Sequence, residues 1–152
     1  MDNHKWDRRF LRLIKNEIAT WSKDESTQVG SLIVDENRIP DGWGYNGMPR
    51  GVDDAVPARH ERPEKYFWME HAERNAIDNS KGDLHGSTIY VTHHPCSGCA
   101  RAIIQNGIAR VVVDKENGIN GELAQREKED HRASQEMLDE VGIETVEIYI
   151  EE

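Results

Sequence analysis

The sequence predicts an α/β fold of three layers (α/β/α), in which a mixed five-stranded sheet carries helices on both faces. After an opening helix and a hairpin, short β-branched runs alternate with helical segments in the order α-β-β-α-β-α-β-α-β. Crossovers between parallel strands are right-handed, so the last three strands should be parallel. With 152 residues the chain can bury a core, and we expect residues 1–152 to form one domain.

The first segment, residues 4–21, has the pattern of an amphipathic helix. Its large apolar side chains recur at helical spacing, and charged side chains occupy the other side. We interpret the apolar stripe as core packing. The stripe consists of Trp6, Phe10, Leu13, Ile14, Ile18 and Trp21.

Two extended runs follow, at residues 27–34 and 38–45, and the polar turn between them indicates an antiparallel hairpin. Pro40 cannot donate a hydrogen bond within a sheet, so the second run should be an edge strand or contain a bulge. Residues 44–66 then show no periodicity. A loop of this length in a compact domain is usually functional or disordered, and its arginines favour a functional loop.

The second half of the chain supplies the remaining alternation of helices and strands. Gly107 and Gly142 follow helical patterns at the positions where C-caps are expected. The predicted elements are a helix at 68–79, a strand at 88–92, a helix at 96–106, a strand at 110–114, a helix within 122–141 and a strand at 145–150.

The charge and hydropathy patterns exclude several classes of function. The net charge is −10 and there is no basic block, which argues against binding a polynucleotide through its phosphates. The longest apolar run has only four residues, 66–69, so no segment is predicted to span a membrane. The first five residues are polar and lack the apolar core of a signal peptide, which predicts a cytoplasmic protein.

The two cysteines of the chain, Cys96 and Cys99, lie in one tetrapeptide after Pro95. They are three positions apart at the start of a predicted helix. Both thiols therefore lie on one side of its first turn, where the helix dipole favours thiolates. Without a second pair there is no disulfide framework. Taken alone, the pair could be redox-active, bind zinc or be two buried thiols.

His71 and Glu73 distinguish between these alternatives. His71 lies near the start of the helix that precedes the third strand, and a helix–strand–helix connection can bring both helix N-termini to one edge of the sheet. Two thiolates and one imidazole suit a zinc ion with a fourth position open to water. Residues two apart do not share a helix face, so we interpret Glu73 as a carboxylate that moves protons rather than as a ligand.

The pattern H-x-E followed by P-C-x-x-C is the signature of zinc-dependent nucleobase deaminases. In such a site Glu73 would accept a proton from water and deliver it to the ring nitrogen and then to the departing ammonia. A structural zinc would instead need a fourth protein ligand. That ligand could be a carboxylate or one of the histidines His4, His60, His85, His93, His94 and His131.

Several segments outside this motif resemble the deoxycytidylate (dCMP) deaminases of the cytidine deaminase superfamily. They are K-D-E-S-T-Q-V-G at 23–30, G-Y-N-G-M-P-R-G at 44–51, R-P-E-K-Y at 62–66, H-A-E-R-N-A-I at 71–77, Q-N-G-I at 105–108 and R-V-V at 110–112. Relatives that act on free cytosine, guanine or tRNA adenosine share mainly the zinc motif. The resemblance implies the cytidine-deaminase-like fold and hydrolysis of dCMP to dUMP and ammonia, which feeds thymidylate synthesis.

The resemblance also implies roles for individual residues. His71, Cys96 and Cys99 would hold the zinc ion, and Glu73 would be the proton shuttle. Hydroxyl and amide groups can bond sugar and phosphate oxygens, although the same groups also stabilise turns. The expected substrate contacts are Ser26, Thr27, Asn46, Arg50, Ala72, His94 and Pro95.

Two of these contacts have further alternatives. Arg50 could meet a phosphate or could be exposed in the loop. His94, with His93, could be a polar ring at the end of a strand, or it could line the base or phosphate pocket and make substrate binding depend on pH.

Many members of the family are hexamers that dCTP activates and dTTP inhibits. The resemblance therefore implies a homo-oligomer, with a hexamer favoured, and Mg²⁺ accompanying dCTP at an effector site. The expected effector contacts are Gly44, Tyr45, Asn46 and Gly47. Some relatives bind a second zinc ion through cysteines and histidines of the long loop. Here that loop has His60 and no cysteine, so we expect one Zn²⁺ per chain.

Two other functions remain open from the sequence. The chain could deaminate a different cytosine compound, such as cytidine, dCTP or a modified dCMP. It could also be a binding module that zinc stabilises and that catalyses no reaction.

Overall fold

The computed structural model describes residues 4–151, so residues 1–3 and 152 of the expected domain lie outside the described part. Its elements follow the predicted order. The strands are β1 (Gly30–Val34), β2 (Pro40–Tyr45), β3 (Thr88–Val91), β4 (Arg110–Asp114) and β5 (Glu144–Ile148). The helices are α1 (Lys5–Asn16), α2 (Lys65–Trp68), α3 (Ala72–Asn79), α4 (Ser97–Gln105), α5 (Glu122–Arg126) and α6 (Lys128–Glu140). Short 3-10 helices cover Ile18–Trp21, Pro57–His60 and Lys115–Asn117.

The five strands form one mixed sheet in the order β2-β1-β3-β4-β5. Strands β3, β4 and β5 run parallel, while β1 is antiparallel to both of its neighbours. The mixed five-stranded sheet is therefore confirmed. As Pro40 indicated, β2 is an edge strand, and its pairing with β1 is irregular between Leu32 and Val34.

Alternating side chains of the strands separate two cores. Ile89 and Val91 of β3 face the core that α3, α4 and α6 cover, whereas Tyr90 faces the core beneath α1. Each face of the sheet thus carries helices, as predicted. Among the described residues no helix is both long and apolar enough to cross a membrane.

The structure corrects the interpretation of the N-terminal stripe. The buried face of this segment centres on Leu11, Ile14 and Ile18. The stripe residues Trp6 and Leu13 lie on its flanks, with 41% and 45% of their surface exposed. The α-helix also ends at Asn16, and a 3-10 turn continues the segment to Trp21.

Two other predicted helices differ from the observed ones. The helix expected from residue 68 begins at Ala72, because Met69 is extended and Glu70 pairs with Gly47 as an isolated bridge. The helix expected within 122–141 is divided into α5 and α6, because the backbone of Glu127 leaves the helical region. Both breaks matter for the site, since each lies beside its cavity.

Close packing of α3 on β2 positions the start of α3. A Cβ atom at Gly42 would lie 2.0 Å from the carbonyl oxygen of Ala76, and one at Gly44 would lie 2.7 Å from that of Ala72. The two glycines therefore let the helix backbone rest directly on the strand. Gly44, expected among the effector contacts, has this packing role in the fold.

Candidate active site

The N-termini of α3 and α4 meet near the carboxyl end of β3. His71 and Cys96 are the N-cap residues of the two helices, and both have extended backbones. His71 Nδ1 lies 3.4 Å from Cys96 Sγ and 3.3 Å from Cys99 Sγ. The three donor atoms all lie within 4.8 Å of one another. The structure thus brings together the three side chains that the sequence suggested as ligands.

This donor set fits a zinc ion. Usual Zn–N and Zn–S bond lengths at tetrahedral angles place nitrogen and sulfur about 3.6 Å apart, close to the observed distances. Hydrogen bonding to Cys99 lowers the pKa of Cys96 to about 3, while the same bond and burial raise the pKa of Cys99. The chain alone therefore favours one thiolate, and a second thiolate needs a cation between them.

Glu73 lies in the first turn of α3 beside this group and is only 4% exposed. Burial raises the pKa of its carboxyl group, and the nearby His71 opposes that shift. None of the described ion pairs involves Glu73. A carboxyl group whose pKa is raised in this way can act as a general acid and base.

Glu70 and Arg74 make hydrogen bonds to His71 and Cys99. Glu70 Oε1 accepts hydrogen bonds from the backbone N–H of His71 at 2.9 Å and from Arg74 Nε at 2.8 Å. Arg74 Nη1 in turn lies 3.8 Å from Cys99 Sγ, within donor distance of that sulfur. These contacts orient one ligand and place a positive charge near another.

The group opens into a cavity of about 380 Å³ at the carboxyl ends of the parallel strands, where open α/β sheets bind ligands. The residues that were singled out from the sequence and that line it are Thr27, Asn46, His71, Ala72, Glu73, His94 and Cys96. The other polar residues of the wall are Asp24, Arg62, Lys65, Tyr66, Glu70, His93, Arg126, Glu127 and His131.

Two of the expected substrate contacts make hydrogen bonds within the protein. Ser26 Oγ donates to Asp24 Oδ1 at 2.9 Å and accepts from Lys65 Nζ at 2.9 Å. Asn46 accepts from the N–H of Val29 at 2.8 Å and donates to the carbonyl oxygen of Thr27 at 2.9 Å. These bonds shape the segment that carries Thr27, whose hydroxyl makes no hydrogen bond within residues 4–151.

Other expected contacts lie outside the wall of this cavity. Arg50 points away and donates a hydrogen bond to Asn79. The carbonyl oxygen of Pro95 accepts from Ser134 Oγ at 2.7 Å. Of the expected effector residues Gly44, Tyr45, Asn46 and Gly47, only Asn46 lines it.

His94 belongs to a buried chain of hydrogen bonds. The amide nitrogen of Gln135 donates to Asp139 and Thr145, so its oxygen accepts from His94 Nε2 at 3.0 Å. Neutral His94 then has a bare Nδ1, which accepts from His131 Nδ1 at 2.6 Å. Both nitrogens of His94 are thus bonded within the protein, whereas Nε2 of His131 has no hydrogen-bond partner within residues 4–151.

A second group of potential metal ligands consists of Glu127, Asp130 and His131. Two of its members already have partners: Asp130 accepts from the N–H and hydroxyl of Ser97 at 2.9 and 2.6 Å, and His131 Nδ1 lies 2.6 Å from His94 Nδ1. The bonds to Ser97 secure the first turn of α4. We therefore assign Asp130 a structural role next to Cys96.

Sequence reasoning missed several residues of the cavity wall. Arg62 and Lys65 had a signal, because both belong to the R-P-E-K-Y segment that shares the family resemblance. Arg126 had none, and His131 was considered only as a possible fourth ligand of a structural zinc ion. They come from α5 and α6, far along the chain from the zinc motif, and only the packing of these helices brings them to the cavity.

Comparison with known proteins identifies relatives over most of the chain. The family model of the cytidine and deoxycytidylate deaminase zinc-binding region matches residues 4–115. A deaminase from the luxG 3′ region of Aliivibrio fischeri, described as uncharacterized, is 42% identical over 140 residues, which cover 92% of this chain and 91% of that protein. A probable deoxycytidylate deaminase of Caenorhabditis elegans is 42% identical, with 89% of this chain and 66% of that protein covered.

Two further comparisons concern the mouse enzyme and a solved structure. Deoxycytidylate deaminase of Mus musculus is 48% identical over 101 residues, which are 62% of this chain and 56% of that protein. The crystal structure of dCMP deaminase from the cyanophage S-TIM5 in complex with dCMP and dUMP matches with a TM-score of 0.75 at 22% identity, over 97% and 99% of the two chains. This likeness confirms the predicted cytidine-deaminase-like fold. The sequence, the fold and the relatives agree: the chain is a deaminase that belongs to the cytidine and deoxycytidylate deaminase family with its zinc-binding region.

Proposed function

We propose that this chain hydrolyses dCMP to dUMP and ammonia, acting as one catalytic domain with one Zn²⁺. The observation that carries the proposal is the cavity, in which a His/Cys/Cys donor set and a buried carboxyl group share a wall with three cationic side chains. These cations are Arg62, Lys65 and Arg126, and they suit a substrate with a phosphate group. Relatives named deoxycytidylate deaminase support the same substrate.

The residues of the chain account for the proton transfers. His71, Cys96 and Cys99 would hold the zinc ion, which would supply the Lewis acid that activates water at neutral pH. Glu73 accepts a proton from water and gives it to the ring nitrogen, while the water oxygen adds to the carbon that bears the amino group. Glu73 then carries the second proton to the amino group, which departs as ammonia and leaves a carbonyl group.

The test is a substrate panel with purified protein whose zinc content is known. We expect dCMP to be deaminated with a much higher kcat/KM than deoxycytidine, cytidine or dCTP, as followed by ultraviolet absorbance. Faster turnover of one of the other compounds would show that this compound, and not dCMP, is the substrate. If the protein binds zinc but deaminates none of these cytosine compounds, catalysis is contradicted. The remaining function is then that of a binding module that zinc stabilises.

We also propose regulation and assembly of the kind that the family resemblance implies: a cytoplasmic hexamer, activated by dCTP with Mg²⁺ and inhibited by dTTP, that feeds thymidylate synthesis. In support, Gly47 of the expected effector segment exchanges two backbone hydrogen bonds with Glu70, the residue before His71. An effector near Gly47 could therefore move a metal ligand. If neither dCTP nor dTTP changes the rate of dCMP turnover, the proposed regulation is contradicted. Light scattering would test the hexamer.

A further inference from the structure

An exposed apolar surface lies between α1 and the edge strand β2, on the face of the sheet opposite to α3. Alternate residues of β2 take opposite faces, and Gly42 and Gly44 contact α3, so Trp43 lies on the α1 side. Trp43 contacts Trp21 of the 3-10 turn that follows α1, with 5.2 Å between the ring centres. The two rings are nevertheless 44% and 47% exposed.

One flank of α1 continues this surface. The other flank of the helix faces the end of β5, where Arg12 donates to the carbonyl oxygen of Ile150 at 3.4 Å. Trp6 lies on the side towards the hairpin, since the guanidinium group of Arg38 is 5.5 Å from the centre of its ring. Leu13 follows seven residues later and shares that flank. We name as the α1–β2 surface the side chains of Trp6, Leu13, Trp21 and Trp43.

The composition of the α1–β2 surface is that of a protein–protein contact. It holds three of the four tryptophans of the chain. Monomeric proteins rarely expose a large continuous apolar area, and such areas usually mark a contact with another molecule. Tryptophan is also among the residues that contribute most to the binding energy of interfaces.

Two charged side chains on this flank of α1 are placed symmetrically about Leu13. Arg9 precedes Leu13 by four residues and Glu17 follows it by four, so each lies about one helical turn away. Both are exposed, and neither forms an ion pair within residues 4–151. Arg9 instead lies over the ring of Trp6, at 4.6 Å. The aromatic rings repeat the symmetry, because Trp6 and Trp21 lie seven residues before and eight after Leu13.

We propose that the α1–β2 surface binds the same surface of a second copy of this chain, about a twofold axis beside Leu13. In an antiparallel pair of helices with Leu13 at the axis, residues equally far before and after it face each other. Arg9 then meets the partner's Glu17, and symmetry forms this ion pair twice. Trp6 meets the turn that carries the partner's Trp21. A parallel pair would instead place like charges together.

The charge pattern favours a second copy over an anionic surface such as a membrane. The net charge of the chain is −10, which opposes approach to an anionic surface. Arg9 and Glu17 supply one charge of each sign on the two sides of Leu13. A surface that binds its own copy about a twofold axis requires this arrangement, because each charge must meet its opposite.

The proposed contact is independent of the substrate and of the reaction. It adds to the proposed hexamer the location of one twofold contact. A twofold contact alone closes a dimer, so a hexamer needs at least one further contact elsewhere. The contact proposed here therefore stands even if the chain is a dimer.

The test combines charge reversal with the mass of the purified chain in solution, measured by light scattering over a range of concentrations. Arg9→Glu and Glu17→Arg each replace two attractive pairs by two repulsive ones. We expect each variant alone to raise the dissociation constant of the contact at least about 10-fold, so that the mass falls to half or less. An equimolar mixture of the two variants restores both attractive pairs and should regain the wild-type mass. Two variants that had failed to fold could not recover in this way.

Two further variants have matched controls. Leu13→Glu brings two like charges together at the axis and should also lower the mass, whereas Val141→Glu makes the same change at an apolar residue that is 53% exposed after α6. Arg132→Glu reverses the charge of an exposed arginine of α6. We expect both control variants to keep the wild-type mass.

The possible failures are distinguishable. A wild-type chain that is a monomer at every concentration would overturn both this contact and the proposed hexamer. A wild-type oligomer whose mass does not change in Arg9→Glu, Glu17→Arg and Leu13→Glu would overturn this contact alone. Loss of mass in the two charge-reversal variants without recovery in their mixture would overturn the antiparallel twofold arrangement. None of these outcomes depends on turnover of dCMP, which tests the proposed reaction separately.

Discussion

Asp7 and Glu73 are two carboxyl groups with nearly equal burial and opposite chemistry. Each lies in the first turn of a helix, Asp7 in α1 and Glu73 in α3, and they are 3% and 4% exposed. Burial raises the pKa of both groups. For Glu73 that effect prevails, whereas for Asp7 hydrogen bonds outweigh it and bring the pKa to about 2.

The partners explain the difference. Arg110 Nη1 and Nη2 donate to the two oxygens of Asp7 at 2.8 and 2.7 Å, and the hydroxyl of Tyr90 donates at 2.6 Å. Glu73 has no such cation and lies near the thiols instead. A buried carboxylate that is fully paired joins α1 to the sheet, while one left without a counter-ion remains able to exchange a proton.

Replacement of Glu73 by glutamine should have the largest effect on catalysis. Glutamine keeps the size of the side chain but cannot shuttle protons, so we expect kcat for dCMP to fall about 100- to 10,000-fold. The free energy of unfolding should be unchanged or higher, because a buried carboxyl group without a counter-ion is removed. Zinc content by elemental analysis should remain one per chain. Retained activity in this variant would contradict the proton shuttle.

The Asp7→Asn variant should show the reverse behaviour. It leaves Arg110 without its charged partner, and loss of one member of a buried pair costs about 3 kcal/mol. We expect that loss in urea unfolding at neutral pH, with kcat per folded molecule unchanged. A variant of wild-type stability would show that the Asp7 cluster contributes little to the fold.

The pH dependence of stability also distinguishes Asp7 from Glu73. The pKa of Asp7 is about 2 in the folded chain, below its ordinary value of 3.8. Its contribution is therefore complete above about pH 4 and is lost as the pH falls towards 2, about 2 kcal/mol in all. Urea unfolding at several pH values should show this loss in the wild type and not in Asp7→Asn. Parallel curves for the two proteins would contradict the assignment.

The smallest effect should come from Arg132→Ala. Arg132 pairs with Glu129 and Glu136 on the exposed side of α6, in contacts that solvent screens. We expect an unfolding midpoint and a kcat/KM for dCMP that match the wild type. A marked loss of activity would show that any positive charge near α5 and α6 affects catalysis. It would then argue against a specific role of Arg126 in binding the phosphate of the substrate.

Much of the fold was predictable, because its signals are local. Alternating and helical periodicities identify the five strands to within a few residues and most of the helices, and Pro40 indicated the edge position of β2. The short helix α2 was not predicted, and α5 and α6 were predicted as one helix. The failures lie where tertiary contacts override a local pattern. Trp6 and Leu13 continue an apolar stripe but remain 41% and 45% exposed, and the bridge between Gly47 and Glu70 precedes the start of α3.

Spacing along the chain is enough to indicate the family and the candidate metal-binding group, since His71, Glu73, Cys96 and Cys99 lie at fixed spacings at the starts of two helices. The tertiary structure determines which side chains face the cavity. It engages Ser26 and Asn46 in hydrogen bonds within the protein, turns Arg50 towards Asn79, and brings Arg126 and His131 from the C-terminal helices. This difference arises because the start of a helix depends on a few neighbouring residues, whereas the wall of a cavity depends on how distant elements pack.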